Sequence, residues 1–312
     1  MLPLHRPVGR TGLQVMPLGL GTAPLGNLYA PVPDARARDT VRVALDAGLR
    51  FFDTAPLYGA GLAERRLGAA LAAVPRDRYV LSTKVGRLVD AAGRIVPAYS
   101  REGVLRSIEA SLGRLGVERL DVVHIHDPDD HFREAVEDMF PVLSDLRAQG
   151  VIGAIGAGMN QWQMLWEFAQ NAEFDCFLLA GRYTLLEQTA VDFLAHCQER
   201  GIGILIGGAF NSGILATGPV PGAKYNYSDA PEEVLARARW LQAICDRHGV
   251  PLRTAALRFC LAHPAVTAVV AGAAHPVELA DHVAALEAEI PAELWADLRR
   301  EGLLATDTPT PA

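Results

Sequence analysis

The sequence predicts an α/β protein built as a closed (β/α)8 barrel, with a β-hairpin before it and extra helices after it. Three observations predict this. Short runs rich in β-branched and aromatic residues alternate with longer amphipathic ones, which is the rhythm of parallel βα units. Eight such runs occur, the number that closes a barrel, and 312 residues leave room around the roughly 250 that such a barrel takes. The first run also continues into "GLGTAPLG" with no immediate helix, whereas an open doubly wound sheet would want a G-x-G-x-x-G turn there.

The hairpin comes first, with "LHRPV" (4–8) and "LQVM" (13–16) joined by the turn "GRTG". The strands then follow as "PLGLG" (17–21), "LRFFD" (49–53), "YVLSTK" (79–84), "LDVVHIH" (120–126), "VIGAIGA" (151–157), "DCFLLA" (175–180), "GIGILIG" (201–207) and "TAVVAG" (267–272). Helix patterns lie between them. "DARARDTVRVALDAG" has Asp34 as its N-cap candidate and Gly48 as its stop, "SREGVLRSIEASLGRLG" has Ser100 as cap, and "FREAVEDMFPVLSDLRAQG" has Asp130. A long insertion, about 211–230, follows the seventh strand. Composition does not break before Thr306, so residues 1–312 read as one domain whose end, "TDTPTPA" (306–312), reads as a mobile tail.

Half of the chain is hydrophobic, enough for a large core, and the net charge is -7 from 29 Lys+Arg against 36 Asp+Glu. No basic block of five occurs, which argues against nucleic acid or an anionic membrane as partner. There is no signal-peptide pattern and no run of 18 apolar residues, so the expectation is a soluble, cytoplasmic protein. The four cysteines form no C-x-x-C pair and read as reduced core residues.

In such a barrel, chemistry sits at the C-terminal ends of the strands. The second strand ends in Asp53 and runs into "TAPLYGAG", which carries Tyr58 over the mouth. The third ends in Lys84 and the fourth in His126. Strand alternation puts His124 and His126 on one face, with Val123 and Ile125 on the other. A tyrosine with an ordinary pKa of about 10 is a poor base at neutral pH, but a neighbouring ammonium favours its phenolate. Lys84 can supply that charge, Asp53 can balance the buried ammonium, and His126 can donate a hydrogen bond to a substrate oxygen. The set reads as a site for alcohol/carbonyl redox chemistry.

Through "FFDTAPLYG" (51–59), "LSTKVG" (81–86), "SIEASLGRLGVERLDVVHIHDP" (107–128) and "IGAGMN" (155–160), the chain resembles the aldo-keto reductase superfamily over nearly its whole length. The resemblance implies a TIM barrel that binds a nicotinamide dinucleotide without a Rossmann domain. It implies Tyr58 as proton donor or acceptor, Lys84 and Asp53 as its tuners, and His126, rather than His124, as the group that orients substrate. Gly21, Thr22 and Asp53 match positions lining the nicotinamide end, and Asn160 matches the residue holding the carboxamide. The chain departs from the family at Ala180, where a Gln is usual, and near Gly207, where a stacking Tyr is usual; Phe210 or Tyr183 are the replacements on offer.

Further cofactor candidates are Asn211 and Gly213 in "GAFNSGIL", and Gly272, Ala274, His275 and Glu278 in "GAAHPVE", with His282 behind them. NADP-dependent relatives place Lys and Arg in this last segment. Here Gly272 and Glu278 stand at those positions, and a carboxylate repels a 2′-phosphate while accepting from a free ribose 2′-OH. NAD is therefore expected over NADP, unless His275 or His282 approaches a phosphate.

Within the superfamily the chain is similar to the sugar C1 dehydrogenases, a branch that includes L-fucose, D-threo-aldose and L-galactose dehydrogenases and the related pyridoxal 4-dehydrogenase. The resemblance implies oxidation of an anomeric hydroxyl to a lactone. Loop residues Asn27, Tyr29 and Trp162, with Tyr99, Asp127, Arg182 and Tyr225, are candidates for holding a polyol ring. Pyridoxal oxidation and general aldehyde or ketone reduction are the alternatives within the superfamily. A metal-dependent barrel hydrolase is suggested by the H-x-H pair, but later strand ends offer no further histidines or final aspartate. A non-catalytic cofactor-binding subunit is disfavoured by the intact Asp53, Tyr58, Lys84 and His126 set. His124 reads as a hydrogen-bonded core residue, and Asp129, Asp130 and His131 as a solvated loop.

Overall fold

In a computed structural model, which describes residues 5–311, all eight expected strands close into one parallel barrel. They are β1 Leu18–Gly21, β2 Phe51–Asp53, β3 Val80–Val85, β4 Leu120–His126, β5 Ile152–Met159, β6 Cys176–Ala180, β7 Gly203–Gly207 and β8 Val266–Gly272. β8 pairs with β1, and β4 is embraced by β3 and β5. Alternation divides the strand residues between two cores. Leu81, Val123, Ile125 and Ile155 face the helices, while Phe51, Val122, Cys176 and Leu205 fill the barrel.

The expected hairpin forms between Arg6–Pro7 and Gln14–Val15; Leu4 lies outside the described residues. Its Val8 and Val15 join the interior cluster, so it plugs the end of the barrel opposite the mouth. Thr267 Oγ1 donates to Pro7 O (2.9 Å) and the Arg6 guanidinium to Val266 O (2.6 Å), which ties the plug to the start of β8.

Caps decide the helix starts, and two differ from expectation. Ser100 does cap Arg101–Leu115, its side chain accepting from Gly103 N. Pro33 rather than Asp34 stands at the N-cap of Asp34–Asp46, leaving the Asp34 charge inside the first turn, where the helix dipole favours it. His131, not Asp130, precedes the helix at Phe132–Glu134, and no side chain caps it. That helix passes through a π turn at Ala135–Met139 before Phe140–Ala148; Pro141, which cannot supply a backbone N–H, sits just beyond the irregular turn.

Where the sequence suggests a loose tail, Arg299 donates to Thr308 O (3.0 Å) and Thr310 Oγ1 (2.8 Å), and Thr308 is buried. The segment is tethered by a side chain that its own composition does not reveal. No helix among the described residues is long and apolar enough to cross a membrane.

Candidate active site

Asp53, Lys84 and His126 point inward from the ends of β2, β3 and β4, and the loop after β2 lays Tyr58 over them. Lys84 Nζ donates to Asp53 Oδ1 (2.6 Å) and to Thr54 O (2.8 Å). The second oxygen of Asp53 accepts from Ser82 Oγ (2.8 Å). Both charges are almost fully buried, with side-chain exposures of 1% and 3%, so these hydrogen bonds are what makes their burial tolerable. The ammonium also sits 4.8 Å from the centre of the Tyr58 ring, which meets the His126 ring edge-on with centres 6.0 Å apart.

Electrostatics correct one expectation. Burial pushes the Tyr58 phenol up to about 12, against the pull of the Lys84 charge. Lys84 acts in the expected direction, but desolvation outweighs it, so Tyr58 rests as a phenol. Burial, and then the Lys84, Arg87 and His124 groups, hold His126 well below the ordinary histidine value. It is a neutral imidazole, able to donate from one nitrogen while its buried Nδ1 has no partner.

The three histidines His124, His126 and His131 part company. His124 pairs in register with Lys84, lies fully buried beneath the mouth, and is pushed down to about 3 by burial and the Lys84 charge. It is a core residue, but not the hydrogen-bonded one expected. The Ala157 backbone is close enough to favour its cation slightly, yet neither ring nitrogen makes an aligned hydrogen bond. Gly156 makes room for it, since a Cβ there would lie 2.2 Å from His124 Nδ1. His131 stacks on Tyr99, with ring centres 4.3 Å apart.

Two cavities meet at Tyr58. One, of about 400 Å³, is lined by Lys84, His126, Asp127, Met159 and Asn160. The other, of about 480 Å³, is a groove that runs from Gly21 and Asp53 past Phe210 and Gly213 to Gly272, Ala274, Glu278 and His282. Ala180 and Tyr227 line both.

Of the expected cofactor residues, Gly21, Asp53, Phe210, Gly213, Gly272, Ala274, Glu278 and His282 therefore lie along one groove, while Asn160 lies in the adjoining cavity. Phe210 stacks on His282 with centres 4.9 Å apart. Thr22 is not at the surface of either cavity; its hydroxyl donates to Asp53 O (3.0 Å). Asn211 is buried, with its amide donating to Gly181 O, and His275 is exposed and caps the helix Pro276–Glu287. Tyr183 stacks on Phe259 in the outer layer and is unavailable for a cofactor.

Fewer of the substrate candidates converge. Tyr29 lines the groove and Asp127 the smaller cavity. Asn27 instead accepts from Val32 N and Arg66, and Trp162 packs on Trp166. Tyr99 is spent on the His126 and Asp127 carbonyls, while Tyr225 donates to Glu187 and Arg182 lies against Glu187 and Asn226.

Two lining residues escape the sequence reading. Tyr227 reaches the mouth from the tip of a hairpin, Lys224–Tyr225 with Ser228–Asp229, and Arg253 lines the far end of the groove, paired with Asp281. Asn226 before Tyr227 is the signal for the hairpin, because two-residue turns favour Asn at positive φ. Nothing local marks Arg253.

The groove suits a nicotinamide dinucleotide. It is apolar beside Tyr58, and at its other end it carries Arg253 and His282, whose Nε and Nδ1 are buried without partners. Gly21, Gly207 and Gly272 keep the strand ends bare along it.

Comparison with known proteins follows the same line. The Aldo/keto reductase family matches residues 17–300. A pyridoxal 4-dehydrogenase from Microbacterium luteolum is 41% identical over 96% of this chain and 98% of its own. A D-threo-aldose 1-dehydrogenase from a Pseudomonas species is 39% identical over 95% and 96%. Among solved structures, an aldo-keto reductase from Bacillus halodurans in its holo form superposes with a TM-score of 0.81 at 26% identity, over 99% of this chain and 98% of that one.

Proposed function

The chain belongs to the aldo/keto reductase family and is an oxidoreductase, and from that premise we propose that it oxidises the C1 hydroxyl of a cyclic aldose to a lactone, with NAD preferred over NADP. One observation carries the reading. Tyr58 stands where the two cavities meet, with the Lys84 ammonium under its ring and neutral His126 at its edge.

In this reading His126 donates to the substrate hydroxyl oxygen and fixes its position against Tyr58. The phenolate form of Tyr58 takes the hydroxyl proton in oxidation, and the phenol gives one back in reduction. Lys84 lowers the cost of the phenolate, and Asp53 with Ser82 holds Lys84 in place. When bound, an oxidised nicotinamide dinucleotide supplies the hydride acceptor and a further positive charge. The Glu278 carboxylate, with Asp281 next to Arg253, gives the far end of the groove an acidic balance that favours a ribose hydroxyl over a 2′-phosphate. The four cysteines are free and buried, which fits a cytoplasmic, reducing setting.

Pyridoxal is the second reading, supported by the relative at 41% identity. The two share their chemistry, because an aldose and pyridoxal each carry an aldehyde with a hydroxyl in ring-closing reach, and both present a cyclic hemiacetal. The test is NAD and NADP reduction with L-fucose, L-galactose and pyridoxal, with the product identified by mass. A lactone from an aldose with NAD is expected. Turnover confined to pyridoxal would replace the sugar reading, and faster reduction of NADP would overturn the cofactor preference.

A further inference from the structure

Asp127 follows His126 directly and has φ 41, a left-handed conformation that only Asn, Asp and Gly adopt at modest cost. Such strain persists where surrounding contacts over-determine it. Here they do: Tyr99 Oη donates to both His126 O (2.7 Å) and Asp127 O (2.6 Å), and Arg87 donates to Asp127 O (3.1 Å). Gly158 O accepts from Asp127 N (3.0 Å). The backbone is thus held from three elements, and the carboxylate is left free of any side-chain hydrogen bond among the described residues.

Asp127 lines the smaller cavity with His126, and its Oδ2 lies 3.7 Å from His126 Nε2. It is the one acid among the described residues that line this cavity, and the one cation, Lys84, is already matched by Asp53. Arg87, which does not line the cavity, is the remaining positive group near it and donates to its carbonyl. The wall beside His126 therefore presents an unmatched acceptor pair to whatever Tyr58 acts on. Burial and Asp129 raise the Asp127 carboxyl above its ordinary value against the pull of Arg87 and Lys84, and the side chain keeps an exposure of 32%.

We propose that Asp127 is a specificity-determining residue, admitting neutral polyhydroxylated substrates to the Tyr58 cavity and turning away those that carry a carboxylate or phosphate near the reacting carbon. The two oxygens accept from substrate hydroxyls, and a second anion in so small a cavity meets like charge, with Lys84 already paired to Asp53 and Arg87 engaged at the Asp127 carbonyl. This deepens the function proposed above and rests on it.

The test compares L-galactose with L-galacturonate, the same ring with a carboxylate in place of the hydroxymethyl group, each as substrate and as competitor against pyridoxal. The wild-type enzyme should favour the neutral sugar by about 30-fold or more. Asp127→Asn keeps the left-handed backbone and the shape. It should raise KM for L-galactose by roughly tenfold and lower KM or the inhibition constant for L-galacturonate by a similar factor. Opposite shifts cannot arise from a merely structural role. Equal use of both sugars by the wild type, or parallel losses in the variant, would overturn the proposal while leaving the oxidoreductase reading intact. No turnover of any neutral substrate with either dinucleotide would remove both.

Discussion

Lys84 Nζ lies 2.6 Å from Asp53 Oδ1 and 4.8 Å from the centre of the Tyr58 ring, so one buried ammonium is shared between a carboxylate and a phenol. With Tyr58 held at about 12, a phenolate base becomes more abundant as pH rises, and oxidation should speed up with pH accordingly. Lys84→Met removes the charge that pulls the phenol down, so the profile should move to higher pH and the rate at pH 8 should fall by about 10²–10⁴. That variant leaves Asp53 buried and unpaired, at a cost of about 3–5 kcal/mol. Asp53→Asn combined with Lys84→Met separates lost chemistry from lost fold. Initial-rate pH profiles with circular dichroism melts check both.

Tyr58→Phe keeps the ring over Lys84 and removes only the hydroxyl. Turnover should fall by about 10²–10⁴, while dinucleotide binding, followed by fluorescence, stays within reach of the wild type. An unchanged rate would exclude Tyr58 as the proton acceptor.

Glu278 Oε2 accepts from Ala274 N (2.8 Å) at the far end of the groove. Glu278→Gln keeps an acceptor there and removes the charge, so the NAD-to-NADP ratio of kcat/KM should fall by roughly tenfold, chiefly through KM for NADP. A ratio that does not move would place the discrimination at Arg253 and Asp281 instead.

Tyr227 has φ 68, and its backbone N donates to Ser212 Oγ (2.9 Å). Tyr227→Gly relieves the left-handed strain, so stability should hold or rise by about 0.5–1 kcal/mol in urea titration. The ring is lost from the wall shared by both cavities, so KM for sugar and dinucleotide should rise together. A KM change for neither would make it a surface residue.

His124 is pushed down to about 3, whereas in the unfolded chain it titrates near 6.5. Between those values the unfolded chain binds a proton that the folded one refuses, so stability falls as pH drops from about 6.5 toward 3. From pH 7 to pH 5 the share of His124 is roughly 2 kcal/mol. His124→Leu should flatten the pH dependence of the urea midpoint by about that amount, and Gly156→Ala should destabilise by about 1–3 kcal/mol because its Cβ meets the imidazole.

The barrel was legible because strand alternation is a local property. In "LDVVHIH" the outward Val123 and Ile125 and the inward His124 and His126 declare both faces of β4 at once. The catalytic candidates were legible for the same reason, since a polar residue ending an apolar strand has few places to go but the mouth. Loop polar residues were not. Asn27, Thr22 and Tyr99 have the chemistry of ligand contacts, but each is consumed by a backbone group brought near by folding. Sequence shows a side chain's donors and acceptors without showing which of them the fold has already satisfied.

By itself, then, the sequence determined the eight strands, the hairpin, and the identities at the ends of β2, β3 and β4, because periodicity and strand direction act over a few residues. Only the tertiary structure decided the balance at Tyr58, where desolvation by the closed barrel outweighs a nearby ammonium. It also decided that Tyr227 and Arg253, far apart in the chain, wall the same groove, and that Asp127 lines the smaller cavity beside it. Desolvation and long-range convergence both depend on which surfaces the whole chain brings together, and no short window of residues contains that.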